Sequence, residues 1–306
     1  MHALARVLND KPISNTEHNS MLLNLWQTLK RFESDEREGV TVLLTWGAME
    51  KAVTSDKEGY VNLNIEHRIE FNATAQEWIP LRYSIKQGEE TLFTTTTDVL
   101  MPSKLADYGI ISDLDDTVLQ TGVTSFLKWR LVKNSLLKGS HARIPFEGAA
   151  NLYSLLEKGV SGVNQNPFFY LSNSPWNLYD YVLDFLNRNR FPKGVLLMRD
   201  MGFEHRRKKS YLEGNKYLKT KHILETYPKL NFILIGDAGE HDTDIYLSIA
   251  KIFTKRILAI YIRAVNRKSR IARIEKLIEQ RTDIEVKIVH HSNEALYHAR
   301  SMGYIK

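Results

Sequence analysis

Two hydrophobic periods divide the chain. In the first hundred residues apolar side chains recur at every second position. Val61, Leu63 and Ile65 alternate with Asn62 and Asn64, and Leu81, Tyr83 and Ile85 alternate with Arg82 and Ser84. A period of two puts one set of side chains on one face of a pleated strand, so the spacing predicts strands with one buried face over 40–46, 60–65, 79–86 and 91–99. Turn sequences at Asp56-Lys57-Glu58-Gly59 and Gln87-Gly88 separate them. Ahead of them Leu22, Leu25, Trp26 and Leu29 stand at helical spacing, which predicts one amphipathic helix over 18–33. Together these patterns give a helical N-terminal segment over 1–37 and a small antiparallel β-sandwich over 38–103, with Met101-Pro102-Ser103-Lys104 as the linker.

Beyond the linker the period changes. Apolar runs at 108–112, 168–171, 195–198, 231–235, 257–262 and 286–289 alternate with segments of helical period at 147–158, 175–189, 216–226, 240–253, 269–280 and 293–302. Pro175 suits the first turn of a helix, where it has no NH to lose. Continuous apolar strands bridged by helices predict an α/β domain over 104–306, a parallel sheet with helices on both faces. In such sheets ligands bind outside the carboxyl ends of the strands.

The chemistry-bearing residues stand at those ends. Asp113-Leu114-Asp115-Asp116-Thr117 follows the first strand of this domain, and Ser172-Asn173-Ser174-Pro175-Trp176 follows the second. Gly236-Asp237-Ala238-Gly239-Glu240-His241-Asp242 follows the fourth, and a helix opens near Lys216 before it. Each part has a task in phosphoryl transfer. A carboxylate attacking phosphorus divides one difficult step into two easier ones, which makes Asp113 the candidate nucleophile. Asp115, two residues on, is placed to protonate the leaving alkoxide and then to deprotonate the attacking water. Two carboxylates beside a dianionic phosphate require a hard cation, and Mg²⁺ takes carboxylate, carbonyl and water oxygens. Its expected ligands are Asp113, Asp237 and the Asp115 backbone carbonyl, with Asp242 either bound directly or one step removed. Ser172 and the backbone NH of Asn173 are the expected donors to the phosphoryl oxygens. A lysine would neutralise the remaining charge; Lys216 is in register, and Lys219 and Lys221 share its helix. Arg263 ends the fifth strand at the same edge, as a substrate contact or a structural ion pair.

The set of DxDxT, a serine after the second strand, a downstream lysine and GDxxxxD resembles the haloacid dehalogenase phosphohydrolase superfamily. The wording ISDLDDTVLQTGV, NPFFYLSNSPWNLYDYVLDFL, FPKGVLLMRDMG, NFILIGDAGEHDTDIY and RILAIYIR is similar to the actin-patch-type, Mg²⁺-dependent phosphatidate phosphatase family within it. The resemblance implies a haloacid dehalogenase-like Rossmannoid fold behind a β-rich N-terminal domain. It implies a phosphatase that converts phosphatidate to diacylglycerol and phosphate through an aspartyl phosphate. Carried over by position, Asp113 is the nucleophile, Asp115 the acid/base and Thr117 the supporting threonine. Ser172 is the phosphate-binding serine, and Asp237 and Asp242 form the acidic motif on the metal side. Ala238 stands where the family has serine.

Composition sets the remaining bounds. The absence of cysteine among 306 residues removes thiol nucleophiles, Cys-ligated zinc and iron–sulfur clusters. A formal net charge of +6 favours anionic partners without choosing among them. Nucleic acid is disfavoured, because no aromatic platform is interleaved with the basic residues. The N-terminus lacks a secretory pattern and the apolar runs are strand-length, so a cytoplasmic protein in peripheral contact with an anionic membrane surface is the expectation. Two segments bear on that contact: 126–137, where the superfamily carries its cap, and the basic run His205-Arg206-Arg207-Lys208-Lys209. Both have plainer readings, as packing over the site and as a solvated loop. A phosphatase of a soluble ester is the rival within chemistry, and a membrane-docking scaffold with a vestigial site is the rival outside it.

Overall fold

The computed structural model describes residues 1–8, 36–65, 77–114, 148–199, 214–239, 241–264, 268–279, 281 and 283–306. The helix expected over 18–33 and the segments 126–137 and 205–209 lie outside them. The chain divides into two compact units, Met1–Lys104 and Leu105–Lys306.

The first unit holds β1 (His2–Arg6), β2 (Thr41–Trp46), β3 (Met49–Thr54), β4 (Tyr60–Asn64), β5 (Glu77–Gln87) and β6 (Glu90–Met101). They form two antiparallel sheets, β1-β4 and β3-β2-β5-β6. Ala3, Val61 and Leu63 from the first share one core with Val42, Leu44, Trp46, Leu81 and Tyr83 from the second. The alternation is met literally: Val42, Leu44 and Trp46 are buried while Thr41 is exposed.

Two strands were not legible. His2–Arg6 falls in the segment expected to be helical, yet it pairs residue for residue with Tyr60–Asn64, and the terminal ammonium donates to the Ile65 carbonyl at 2.5 Å. Its five residues bury only Ala3, too little to show a period. Met49–Thr54 is an edge strand with almost every side chain exposed, held by its backbone ladder to Thr41–Trp46. A strand with no buried face writes no hydrophobic alternation.

The second unit alternates strands and helices: β7 (Tyr108–Asp113), α1 (Ala149–Lys158), β8 (Phe168–Pro175), α2 (Tyr179–Arg188), β9 (Gly194–Arg199), α3 (Asn215–Thr226), β10 (Asn231–Asp237), α4 (Asp242–Ile252), β11 (Ile257–Arg263), α5 (Lys268–Glu279), β12 (Glu285–Val289) and α6 (Ser292–Ser301). The strands form one six-stranded sheet in the order β12-β11-β10-β7-β8-β9, and every pairing is parallel. Its inner strands bury apolar side chains along most of their length, with Ile110, Ile111, Ile233, Leu234, Ala259 and Ile260 at zero exposure. That explains their unbroken apolar runs, since both faces are covered.

The second strand of this sheet overruns its expected end. The helix expected from 175 starts at Tyr179, because β8 continues to Pro175 and rejoins β9 at Arg199 after an irregularity beyond Leu171. A short 3₁₀ turn, Trp176–Leu178, leads into the helix. Elsewhere Asn166 ties helix to strand. Its carbonyl oxygen accepts the Asp107 NH at 3.0 Å, and its amide donates to the Leu156 carbonyl at 2.8 Å.

From β7 the chain steps outward through β8 to β9, then returns to the other side of β7 with β10 and steps outward again. The two directions of winding part between β7 and β10. Connections leave on opposite sides there, so a crevice opens outside the carboxyl ends of these two strands. Asp113 and Asp237 are their last residues. Among the described residues no helix is long and apolar enough to cross a membrane.

Candidate active site

At the end of β7 successive side chains turn to opposite faces of the sheet, as pleating requires. Ser112 meets Tyr153 of α1 at 2.6 Å, whereas Asp113 meets Lys216 of α3 at 2.7 Å. The Lys216 ammonium also donates to Asp242 of α4 at 2.8 Å. A cation in the first turn of a helix runs against the helix dipole. Here two fully buried carboxylates hold it in place, and its own side chain is only 4% exposed.

Asp237 completes the group. Asp113, Asp237 and Asp242 are all at zero exposure, and each offers an oxygen within 4.8 Å of the others. Backbone groups orient them: the Asp237 NH donates to Asp242 Oδ2 at 3.1 Å, and the Gly239 NH donates to Asp237 Oδ1. Gly236 makes the approach of α4 feasible. A Cβ there would lie 2.7 Å from Asp242 Oδ2 and 2.8 Å from the Tyr246 ring. Three carboxylates against one ammonium leave a formal charge of −2 in a place sealed from water. Such an excess is costly unless a cation joins it, and an all-oxygen donor set suits a hard divalent ion. The residues present therefore fit a divalent metal.

The structure separates the three candidate lysines. Lys216 enters the cluster, Lys219 donates to the Met198 carbonyl, and Lys221 pairs with Glu225 at the surface at 3.6 Å. Ser172 is buried one residue beyond Leu171, the register partner of Asp113, and its hydroxyl accepts the Ser174 NH at 3.0 Å. Asn173 is half-buried beside it. Arg263 is the register partner of Asp237 and lines a cavity on the side of α1 and α6. His241 is exposed and stands 3.7 Å from Asp244. Asp115 and Thr117 lie outside the described residues.

Two supporting residues escaped the motif search. The Ser112 hydroxyl donates to the Asp113 carbonyl at 2.9 Å, which leaves the Tyr153 hydroxyl to donate to Ser112. Burial is the main reason the Tyr153 hydroxyl is held far above its ordinary pKa, with the Asp113 carboxylate acting in the same direction. The available signal was a lone hydroxyl in an otherwise apolar strand, Tyr-Gly-Ile-Ile-Ser-Asp.

Fold and site together define a parallel α/β domain with a buried lysine-braced acidic site at its switch point. The chain belongs to the family described as phosphatidate phosphatase APP1, catalytic domain, which matches residues 108–264, just over half of the chain. The matched stretch begins with β7 and closes just after Arg263. Phosphatidate phosphatase APP1 of Saccharomyces cerevisiae is 33% identical over 156 residues, which cover 51% of this chain and 25% of that protein. An uncharacterized protein of Schizosaccharomyces pombe is 30% identical over 167 residues, with the same shares covered. The chain thus spans about a quarter of the length of the curated relatives it matches.

Proposed function

We propose that this protein is a Mg²⁺-dependent phosphatidate phosphatase of the haloacid dehalogenase type. The observation that carries the proposal is the buried Asp113–Lys216–Asp242–Asp237 cluster at the β7/β10 crevice, inside the stretch that matches the phosphatidate phosphatase catalytic domain. In the first step an Asp113 carboxylate oxygen bonds to phosphorus as the bond from phosphorus to the glycerol oxygen breaks. The departing alkoxide takes a proton from Asp115 and leaves as diacylglycerol. In the second step the Asp115 carboxylate takes a proton from water, whose oxygen attacks phosphorus and releases inorganic phosphate from Asp113.

Lys216 keeps Asp113 ionised and aimed, because an ammonium 2.7 Å from a buried carboxylate favours its charged form. It also fixes Asp242 by the same contact. Ser172 and the Asn173 NH, with support from Thr117, receive the phosphoryl oxygens. Mg²⁺ would be held by Asp113, Asp237 and the Asp115 carbonyl, with Asp242 in support, and when bound it supplies charge neutralisation at the phosphoryl group. The lipid is met peripherally, at the cytoplasmic surface of an anionic membrane.

The test is phosphate release from phosphatidate in mixed micelles, with and without Mg²⁺, beside p-nitrophenyl phosphate and soluble sugar phosphates. Asp113→Asn serves as the blank. Release from phosphatidate that needs Mg²⁺ and vanishes in the variant is the expected result. Release from soluble esters alone would replace the lipid by a small metabolite. Liposome binding without turnover on any substrate would leave a docking scaffold. A phosphoenzyme persisting in Asp113→Asn would refute the nucleophile.

A further inference from the structure

Asp113 is supported from both faces of the sheet. On one face Lys216 of α3 holds its carboxylate at 2.7 Å. On the other, Ser112 is fully buried in an otherwise apolar strand, where its hydroxyl meets that of Tyr153 of α1 at 2.6 Å. Core packing gives this pair no reason to be polar. An alanine and a phenylalanine of nearly the same shape would fill the space at little or no cost in stability, because replacing both partners of a buried hydrogen bond leaves neither one wanting the other.

The two hydroxyls converge on one peptide group. Ser112 donates to the Asp113 carbonyl at 2.9 Å, and the NH of the same peptide, that of Leu114, donates to the Leu171 carbonyl of β8 at 2.8 Å. Both polar atoms of the peptide that follows Asp113 are therefore tied, one through α1 and one through β8. Tyr153 is a firm anchor for the first tie. Its ring stacks on Phe168 at a centroid distance of 5.4 Å and meets Phe191 edge-on, also at 5.4 Å. Burial, chiefly, holds its hydroxyl far above the ordinary pKa, with Asp113 adding to the effect and Arg263 opposing it, so the hydroxyl stays protonated as the donor to Ser112.

We propose that Tyr153 and Ser112 are positioning residues for the nucleophile, a neutral relay that fixes the 113–114 peptide and keeps Asp113 aimed through both steps of the reaction. The inference rests on the phosphatase reading. Lys216 grips Asp113 by charge, and once the carboxylate oxygen bonds to phosphorus Asp113 no longer carries the charge that Lys216 holds. The tie to its backbone involves no charge and is the same before and after that bond forms.

The full chain is compared with Tyr153→Phe, Ser112→Ala and the double variant at a temperature where circular dichroism shows all four folded. With Mg²⁺ and phosphatidate in mixed micelles, Tyr153→Phe should lower kcat by about 3- to 10-fold with KM unchanged, the loss of one neutral hydrogen bond between groups that the substrate does not touch. Ser112→Ala should lower kcat at least as far. The double variant should fall no further than Ser112→Ala, because Tyr153 reaches Asp113 only through Ser112. p-Nitrophenyl phosphate should show the same factors, since both esters use Asp113. A second readout needs no turnover: exchange of the Leu114 amide hydrogen, followed by nuclear magnetic resonance, should quicken by about 3- to 10-fold in each variant, while the Ile233 amide in the middle of β10 changes less. An active wild type with kcat unchanged in Tyr153→Phe, a rise in KM alone, additive losses in the double variant, or an unchanged Leu114 exchange rate would each overturn the inference. A wild type inactive on every ester would refute the phosphatase reading instead, and Leu114 exchange then decides the relay alone.

Discussion

Replacing Asp237 by asparagine tests the acidic cluster without disturbing its lysine brace. Asp237 has carboxylate oxygens of Asp113 and Asp242 within 4.8 Å, and all three residues are fully buried. At an effective dielectric of about 20, two unit charges at that distance repel by about 3.5 kcal/mol. Asp237 makes two such pairs, and the attraction of Lys216 offsets roughly one of them. Counterions and local relaxation reduce the remainder to about 1–3 kcal/mol. Asparagine keeps the carbonyl oxygen that accepts the Gly239 NH, so the loop geometry survives. The metal-free variant should therefore be more stable than the wild type. A unit of this size gains about 2–4 °C per kcal/mol, so its melting temperature should rise by about 2–12 °C. Mg²⁺ should reverse the order. At about 100 times its Kd it adds about 2.7 kcal/mol to a protein that binds it, and the variant should lose most of that gain along with its activity. Scanning calorimetry of both proteins, in EDTA and in Mg²⁺, reads the four values. A lower melting temperature for metal-free Asp237→Asn, or equal Mg²⁺ stabilisation of both proteins, would refute the electrostatic account.

Gly236→Ala places a methyl carbon 2.7 Å from Asp242 Oδ2 and 2.8 Å from the Tyr246 ring, so α4 must shift. It should cost about 1–3 kcal/mol and displace Asp242 from Lys216, read as a lower melting temperature and a fall in Mg²⁺-dependent turnover. Asn166→Ala leaves the Asp107 NH without its partner and the Leu156 carbonyl with the Tyr108 hydroxyl alone, which should cost about 1–2 kcal/mol in urea unfolding with turnover per folded molecule unchanged. Alkaline stability follows from the buried tyrosines. Burial pushes the Tyr227 hydroxyl from its usual 10 up to about 12, and the hydroxyls of Tyr153, Tyr170 and Tyr246 rise as well, again mainly through burial. A raised pKa in the folded state means stability fully present below pH 10 and lost as pH climbs towards 12. For Tyr227 alone that is about 3 kcal/mol. Tyrosinate absorbance at high pH should thus appear together with loss of the near-ultraviolet circular dichroism; ionisation of these rings with the fold intact would contradict the burial argument.

The parts of the site that were legible and those that were not differ in how their chemistry is encoded. Asp113, Asp237 and Asp242 stand at the carboxyl ends of apolar runs or just beyond, where a charge has no structural reason to be, and strand ends of a parallel sheet converge on one edge. Position along the chain was enough to bring them together. Lys216 was harder, because three lysines share one helix and the choice depends on which face of α3 meets the sheet. That is a packing fact, with little apolar asymmetry along the helix to announce it. Strands β1 and β3 were illegible for the opposite reason, since their stabilisation lies in backbone pairing, which side-chain periodicity does not record.

Gly236, Ser112 and Arg263 belong to a third class, residues whose meaning depends on what crosses over them. Glycine before an acid reads as part of a phosphatase motif, but its physical role is to leave room for the carboxylate of a helix that begins six residues later. Ser112 reads as one polar position in a strand until Tyr153, 41 residues away, supplies its partner. Arg263 was legible as a cation at the right edge, yet the pleat that sets Lys216 and Tyr153 on opposite faces of β7 is what gives it a cavity of its own. The catalytic residues come from strand ends, and their supports come from helices packed on either face. A motif search that stops at the strand end therefore finds the chemistry and misses what holds it in place.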